Sequence, residues 1–505
     1  MKLRLIGHEY KYAVEQIMLA LFPEERPEYD AETSEARKNP RQNKNDETAP
    51  QMQAESRLIM KNERFAQAIT KIYCGDEVSL GIARIGKNKL TDEMITDRLL
   101  RKIVKQSFYR AATRLLKNPP EWGSLTGIRP AKVAAAAIES GMSEAAAKKM
   151  LTREYYVSGE RAAICVESAR AAILEKSKLK PGDIALYVGI PFCPTRCAYC
   201  SFVSNSVEKS FGLVEPFVET LLAEISEMAK MVAEIGLRVD SVYIGGGTPT
   251  SLPANELNRL MRALGDSFDF SNLREYTVEA GRPDTITEEK IEIIKDAGAR
   301  RICINPQSMS ADVLKAIGRS HEPEDILTAA NLIKKHGLSM NMDIIAGLPQ
   351  DNPKNFSDTL DKILELKPEN ITVHTLSQKK GSRIMLEETM IPSGDDVAKM
   401  LKCASFRLRK SGFAPYYLYR QKFTSGGFEN IGWSLPGYQG IYNICMMEEL
   451  CTVIALGGGG VTKLVSPNGR IERIFNAKYP REYILQADKI SSKIEATADF
   501  IRENC

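Results

Sequence analysis

Between residues 184 and 390 six short apolar runs alternate with amphipathic stretches, and this alternation narrows the fold more than any other feature. The runs are "IALYVGI", "SVYIGGG", "YTVEAG", "RRICIN", "MNMDIIAG" and "ITVHTL". Between them lie "PFVETLLAEISEMAKMVAEIG", "NELNRLMRAL", "TEEKIEIIKDAG", the segment after Pro323 and "SDTLDKILEL". In the first of these stretches Phe217, Leu221, Ile225, Met228 and Val232 recur at helical spacing. Repeated strand–helix units predict a parallel α/β sheet or an incomplete (β/α)6 barrel over about 184–390. In such folds function gathers at the C-terminal ends of the strands. The cysteines after "YVGI", the "GGGTPT" after "SVYI", Glu279, Gln307 and Asp343 all fall there, which predicts one shared site.

The flanks read differently. Residues 1–180 predict an N-terminal α+β domain: a strand at Leu3–Ile6, a helix near Tyr10–Leu21, hairpin-like alternation over 57–82 and helices from 91 to about 178. Within it, about 24–56 holds almost no apolar residue and predicts a flexible insertion, because burial there cannot offset the entropy of ordering. "KSKLKPGD" reads as a linker into a domain spanning 181–395. Residues 396–505, with the aromatic run "FAPYYLYRQKF", predict a smaller C-terminal α+β domain, in which "LGGGG" at 456–460 reads as a turn.

A net charge of +4, from 69 basic and 65 acidic residues, is too balanced to indicate a nucleic-acid partner. No apolar run reaches 18 residues, so no membrane span is expected. Glu9, Lys11 and Glu15 interrupt the N-terminal apolar residues, so no signal peptide is read there and a cytoplasmic location is expected. Ten cysteines in 505 residues are too sparse for a disulfide scaffold.

Seven of those cysteines are scattered and read as small buried or inert residues. Cys193, Cys197 and Cys200 are not. They stand in "YVGIPFCPTRCAYCSF" with the spacing C-x3-C-x2-C, shaped by Pro191 and Pro194. A structural zinc site wants four ligands, usually as two pairs, and no second pair exists; His8, His321, His336 and His374 lack ligand-like spacing. A catalytic zinc on three thiolates remains an alternative. An iron–sulfur cluster of four irons, with three held by thiolates, leaves one iron open.

C-x3-C-x2-C after the first strand of a β/α domain resembles the radical S-adenosylmethionine (SAM) enzymes. The resemblance implies a 4Fe–4S cluster whose open iron chelates SAM, and one-electron cleavage of SAM to a hydrogen-abstracting 5′-deoxyadenosyl radical. "YIGGGTPT" is similar to the motif that binds the methionyl amino group, here Gly245, Gly246, Gly247 and Thr248. The further strings "VEAGRP", "RICINPQSM", "IGRSH" and "DIIAGLP" resemble the oxygen-independent coproporphyrinogen III oxidase group over most of 184–380. "WGSLTGIRP", "YYLYRQK" and "MMEE" look like its HemZ-type branch, the coproporphyrinogen dehydrogenases. Two positions depart from the group: Gly189 stands where histidine is usual, and Phe202 where another cysteine is often found.

The fold so implied is an incomplete (β/α)6 radical SAM barrel between two α+β domains. Carried over, Tyr187 would lie beside the cofactor near the cluster, Glu279 and Arg319 would hold the methionine moiety, and Gln307 and Asp343 would bond ribose or adenine. The implied reaction is oxidative decarboxylation of two propionates of coproporphyrinogen III to vinyl groups, in porphyrin and haem biosynthesis. A tetrapyrrole with propionate side chains and a one-electron donor such as a flavodoxin or ferredoxin are the implied partners. Lys379, Lys380 and Arg383 in "QKKGSR" are candidate cations for the propionates, and "TGIRPAK" is a basic segment of open purpose. A haem-binding chaperone of the same fold, or a radical methylase or ring-opening enzyme on another tetrapyrrole, are the alternatives.

Overall fold

The computed structural model describes residues 1–29, 52–200, 205–379, 381–421 and 423–504. The chain forms two compact units: Met1–Gly127 with Gly141–Ile164, and Ile128–Ser140 with Cys165–Cys505.

The first unit is built on a five-stranded sheet of β1 (Lys2–Ile6), β2 (Glu28–Tyr29), β3 (Gln53–Ile59), β4 (Phe65–Cys74) and β5 (Glu77–Gly86), in the order β2-β1-β3-β4-β5. β4 turns into β5 through the two residues Gly75 and Asp76, with Gly75 at φ 60, the left-handed geometry that matches strand twist in a tight hairpin. Two helices, Lys11–Leu21 and Glu93–Ala112, bury Val14, Ile17, Met18, Ile103, Val104 and Phe108 against the sheet. The second begins where Asp92 accepts the Ile95 N–H at 2.8 Å, a side-chain cap for an otherwise unpaired donor. The chain is ordered at both ends of the insertion expected over 24–56. Its two ends, β2 and the start of β3, pair in parallel with β1, and these ladder bonds order polar residues that composition marked as unstructured. Residues 30–51 lie outside the described residues.

The second unit carries an eleven-stranded sheet. Its centre is the expected series of six parallel strands, lying side by side in sequence order: β6 (Asp183–Ile190), then, past the short parallel pair β7 (Phe192–Cys193) and β8 (Asn205–Ser206), β9 (Arg238–Gly246), β10 (Glu275–Glu279), β11 (Arg301–Gln307), β12 (Ser339–Ala346) and β13 (Asn370–Thr375). Helices Val214–Ile235, Ala254–Ser267, Glu288–Asp296, Pro323–Lys335 and Pro353–Glu365 make the crossovers. β6 is apolar almost throughout because it is buried on both faces, as parallel strands between helices are.

Residues beyond 396 differ from the separate domain expected of them. β15 (Glu429–Ser434) pairs antiparallel with β13 and β14 (Ala414–Arg420) antiparallel with β15, while β16 (Thr452–Gly457) adds in parallel to β6, followed by β17 (Val461–Val465) and β18 (Ile471–Phe475). The cause is the open ends of a six-stranded array: β6 and β13 would otherwise show rows of unpaired N–H and C=O groups. Every residue of β15 and of β16 is buried. Among the described residues, no helix is long and apolar enough to cross a membrane.

Candidate functional site

Just beyond β6 the chain turns through Pro191 into β7 and then into the cysteine loop. The loop is pinned on several sides by backbone bonds. Gly247 N–H donates to Ile190 O at 2.8 Å and Thr248 N–H to Phe192 O at 2.7 Å, while Ala198 N–H donates to Ile317 O at 2.9 Å. Within it Cys200 N–H donates to Cys197 O at 3.1 Å, and the Thr248 hydroxyl reaches Cys193 Sγ at 3.5 Å. Gly247 is demanded by closeness: a Cβ there would stand 3.0 Å from Cys193 Sγ and collide with the Phe192 carbonyl.

The three cysteines line a cavity of about 370 Å³, together with Tyr187, Gly246, Gly247 and Thr248. Glu279 and Gln307 line the same cavity from the ends of β10 and β11 and Arg319 from the turn after helix Ala311–Ala316, while Asp343, expected at a strand end, reaches it from within β12. Gly245 stands just behind the wall, where a Cβ would press to 3.1 Å on the Glu279 carboxyl. The site residues named from sequence are thus brought to one place.

Burial acts to raise the Cys197 thiol, but Arg319 and Arg282 outweigh it and hold its pKa below the ordinary thiol value. A thiolate is the form that ligates metal. Arg319 itself donates from Nη1 to Asn305 O at 2.5 Å and to Gly281 O at 3.3 Å, and from Nη2 to Tyr199 OH at 3.1 Å. Its Nε, together with Gln307 Oε1 and Asn305 Oδ1, is buried without a hydrogen-bond partner. Such orphans are costly unless a ligand completes them. Gln307 also sits at φ 66, at a bulge between β11 and β12, backbone strain of the kind found where a side chain is aimed at a ligand.

Glu279 is open to the cavity yet deep in the fold. Burial pushes its pKa up to about 7; the Tyr243 hydroxyl, donating at 2.6 Å, opposes this, and the Asp343 charge adds to it. Asp343 accepts from Asn341 Nδ2 at 2.8 Å and faces His374 Nε2 at 3.5 Å. Tyr187 stacks on Tyr442 with ring centres 6.0 Å apart, and Tyr442 on Tyr243 at 4.5 Å. Burial raises the Tyr187 phenol further above its ordinary range, so the ring stays neutral.

Among the described residues, the group of three side chains that brings its ligand atoms within 4.8 Å of one another is Glu288, Glu292 and His336, far from the cysteines in sequence. The three cysteine sulfurs are not gathered that closely. One tetrahedral zinc with bonds near 2.3 Å would draw them to about 3.8 Å apart. As they stand, the three sulfurs are not arranged around one such ion.

Of the candidate cations, Lys379 lines the cavity, while Arg383 is exposed and paired with Glu387 at 3.1 Å; Lys380 and Phe202 lie outside the described residues. In "TGIRPAK", Arg129 and Lys132 both pair with Glu449. The departure at Gly189 has a steric reason, since a Cβ there would stand 2.5 Å from Gly458 O. Sequence reading passed over Tyr243, Asn305, His374 and Asn430, and Tyr417 and Tyr419 of β14, all in the cavity wall. Their signal was positional: Tyr243 and His374 sit in the C-terminal halves of β9 and β13, and the two β14 tyrosines are spaced by two on one face.

The profile described as the Radical SAM superfamily matches residues 187–363. The chain is 40% identical over 371 residues to the oxygen-independent coproporphyrinogen-III oxidase-like protein HemZ of Bacillus subtilis (strain 168), covering 72% of this chain and 74% of that protein. It is 28% identical over 323 residues to the heme chaperone HemW of Escherichia coli (strain K12), covering 63% of this chain and 80% of that one. The solved structure of coproporphyrinogen III oxidase (HemN) from Escherichia coli, a radical SAM enzyme, superposes with a TM-score of 0.50 at 21% identity, over 63% of this chain and 72% of that one, and so shares the fold. The superfamily uses a 4Fe–4S cluster and SAM. Three thiols on one cavity, one of them held toward thiolate, and buried polar atoms awaiting a partner fit both groups. The chain belongs to the radical SAM superfamily, in the family of the coproporphyrinogen-III oxidase-like protein HemZ.

Proposed function

We propose that the protein carries out the oxygen-independent oxidative decarboxylation of coproporphyrinogen III to protoporphyrinogen IX. The observation that carries the reading is the single cavity that joins Cys193, Cys197 and Cys200 to the unpartnered atoms of Asn305, Gln307 and Arg319. The cysteines would hold the cluster. Gly245–Thr248 would meet the methionyl amino group, Glu279 and Arg319 the rest of the methionine moiety, and Gln307 and Asp343 the nucleoside. When bound, cluster and SAM supply a one-electron reduction that generates a hydrogen-abstracting radical. Each propionate then loses one hydrogen atom from its β-carbon, CO2 and one electron, the last to an external one-electron acceptor, to become a vinyl group. The chain's own residues do the rest: Tyr187, Tyr243 and Tyr442 close the cavity behind the reacting groups, and its polar wall orients the substrate. Lys379 is the cation in the wall suited to a propionate.

A second reading is favoured by the relatives named heme chaperone HemW, which this chain matches over most of their length. The test is anaerobic reconstitution with iron and sulfide, followed by SAM, a strong reductant and coproporphyrinogen III. Vinyl product and CO2 in step with 5′-deoxyadenosine are expected. Stoichiometric haem binding without vinyl product would replace the oxidase with a chaperone.

A further inference from the structure

The run Leu456–Gly460, which reads from sequence as a turn, lies against the residues that lead into Cys193. β16 ends with Gly457 in register beside Gly189 of β6. A Cβ on Gly458 would stand 2.7 Å from Pro191 Cγ, and one on Gly189 2.5 Å from Gly458 O. Backbone rests on backbone here, at a spacing that admits no side chain, so the position of the glycine run sets the position of Gly189, Ile190 and Pro191. Gly457 and Gly459, at φ 79 and 73, give the run a path that other residues would strain to follow.

One side chain holds this run from below. Glu224, on helix Val214–Ile235, is 2% exposed. Its Oε2 accepts the Gly457 N–H at 2.7 Å and the Tyr483 hydroxyl, and its Oε1 accepts Asn476 Nδ2 at 3.2 Å. Asn476 closes the ring: its Nδ2 also donates to Gly457 O at 2.9 Å, and its N–H donates to Gly460 O at 2.9 Å. About two turns earlier on the same helix, Phe217 packs edge-on to Phe192 with ring centres 5.3 Å apart, and Tyr483 packs on Phe217 at 5.0 Å. A carboxyl so deeply buried is expensive to keep, and an apolar side chain would fill the space at less cost. What only an acceptor can do is take the Gly457 N–H. Every donor around Glu224 belongs to the glycine run or to the segment that follows it.

We propose that Glu224 is a positioning residue for the cluster. Through Gly457 it fixes the glycine run, and through the contact of Gly458 with Pro191 it fixes where Cys193 stands relative to Cys197 and Cys200. The inference rests on family membership and not on which tetrapyrrole is processed.

The test uses the reconstituted full chain and variants Glu224→Gln, Glu224→Ala and Tyr483→Phe. Glutamine keeps the size of the side chain but turns an NH2 toward a donor, and Tyr483→Phe removes a single hydroxyl from the network. Iron per chain, the rate of iron loss to a chelator, and the electron paramagnetic resonance spectrum of the reduced cluster with and without SAM are the readouts. Both Glu224 variants should lose iron several-fold faster than the unaltered protein and show an altered spectrum, with a smaller effect in Tyr483→Phe. The variant Ile333→Val, in the distant helix Pro323–Lys335, serves as a control for lowered stability alone. Unchanged spectra and chelation rates in Glu224→Gln and Tyr483→Phe would overturn the proposal. So would iron loss in Ile333→Val as fast as in the Glu224 variants.

Discussion

The Tyr243 hydroxyl donates to Glu279 Oε1 across 2.6 Å, and this bond does not suffice to keep the carboxyl acidic. Burial, the larger influence, carries Glu279 to about pH 7, with Asp343 pushing the same way and Gly246 N–H and His374 pulling back. The folded protein therefore holds a proton that the unfolded chain gives up near pH 4.5. Stability from this group is whole below that value and is lost as pH rises through about 7. Glu279→Gln, which cannot ionise, should flatten the fall in melting temperature of the cofactor-free protein between pH 5 and 7. An identical slope in the variant would refute the buried, uncompensated carboxyl. Glutamine should also weaken SAM binding, measured by equilibrium dialysis on the reconstituted protein.

Cys197 and Cys165 make a matched pair of opposite expectation. Arg319 and Arg282 bring the first toward thiolate against its own burial, whereas burial and Glu448 raise the second well above the usual thiol range. After reconstitution, Cys197→Ala should lose the broad visible absorption of an iron–sulfur cluster, and Cys165→Ala should keep it. Retention of the absorption in Cys197→Ala would remove that residue from the ligand set.

What could be read in advance followed from locality. The six central strands announce themselves because each is buried on both faces and flanked by its own crossover helix, so pattern and pairing are set within a few dozen residues. β15 and β16 could not be placed this way. Their partners β13 and β6 are tens to hundreds of residues away, and nothing in "TVIALG" tells an added sheet strand from one in a separate domain. The site followed the same division. Cysteines and glycines at strand ends carry motif spacing, while Asn430 and His374 are single polar residues whose meaning comes only from each other. "LGGGG" does carry the turn from β16 into β17, but its second meaning was hidden for a related reason: the closeness that demands glycine there is to Gly189 and Pro191, remote in sequence.

His374 joins two strands' worth of polar groups to Asp343. Its Nδ1 lies 3.3 Å from Asn430 Oδ1, which also accepts the Thr375 N–H at 2.9 Å, while Asn430 Nδ2 donates to Tyr419 O at 3.4 Å. These bonds fix the amide with its oxygen toward Nδ1 of the ring, and the ring so held turns Nε2 to Asp343. His374→Ala should free Asp343 to move and reduce SAM affinity several-fold, with the cluster absorption intact. If dialysis finds equal affinity, Asp343 is held well enough by Asn341 alone.

Glu449 is the meeting point of four cations. Arg129 and Lys132 pair with it directly, Arg473 lies 3.3 Å away and Lys463 3.9 Å, and only 4% of its side chain is exposed. Burial acts to raise its pKa, but Lys132 and Arg129 prevail and hold it below the ordinary carboxylate value. Its contribution to stability is therefore present above the unfolded pKa and lost as pH falls through the depressed one. Glu449→Gln removes the carboxylate on which the four cations converge, and because Lys132 and Arg473 are partly exposed and Glu448 still faces Arg129 and Lys132, the cost falls to about 1 kcal/mol, below that of a fully buried pair. Denaturation at pH 7 should show a loss of that order, and a smaller loss at high salt, where the cations repel less. Adding Lys132→Met to Glu449→Gln should recover part of it, because one of the stranded charges goes. A double variant no more stable than the single would mean that Glu449 acts through the turn at its own backbone, at φ 55, and not through charge.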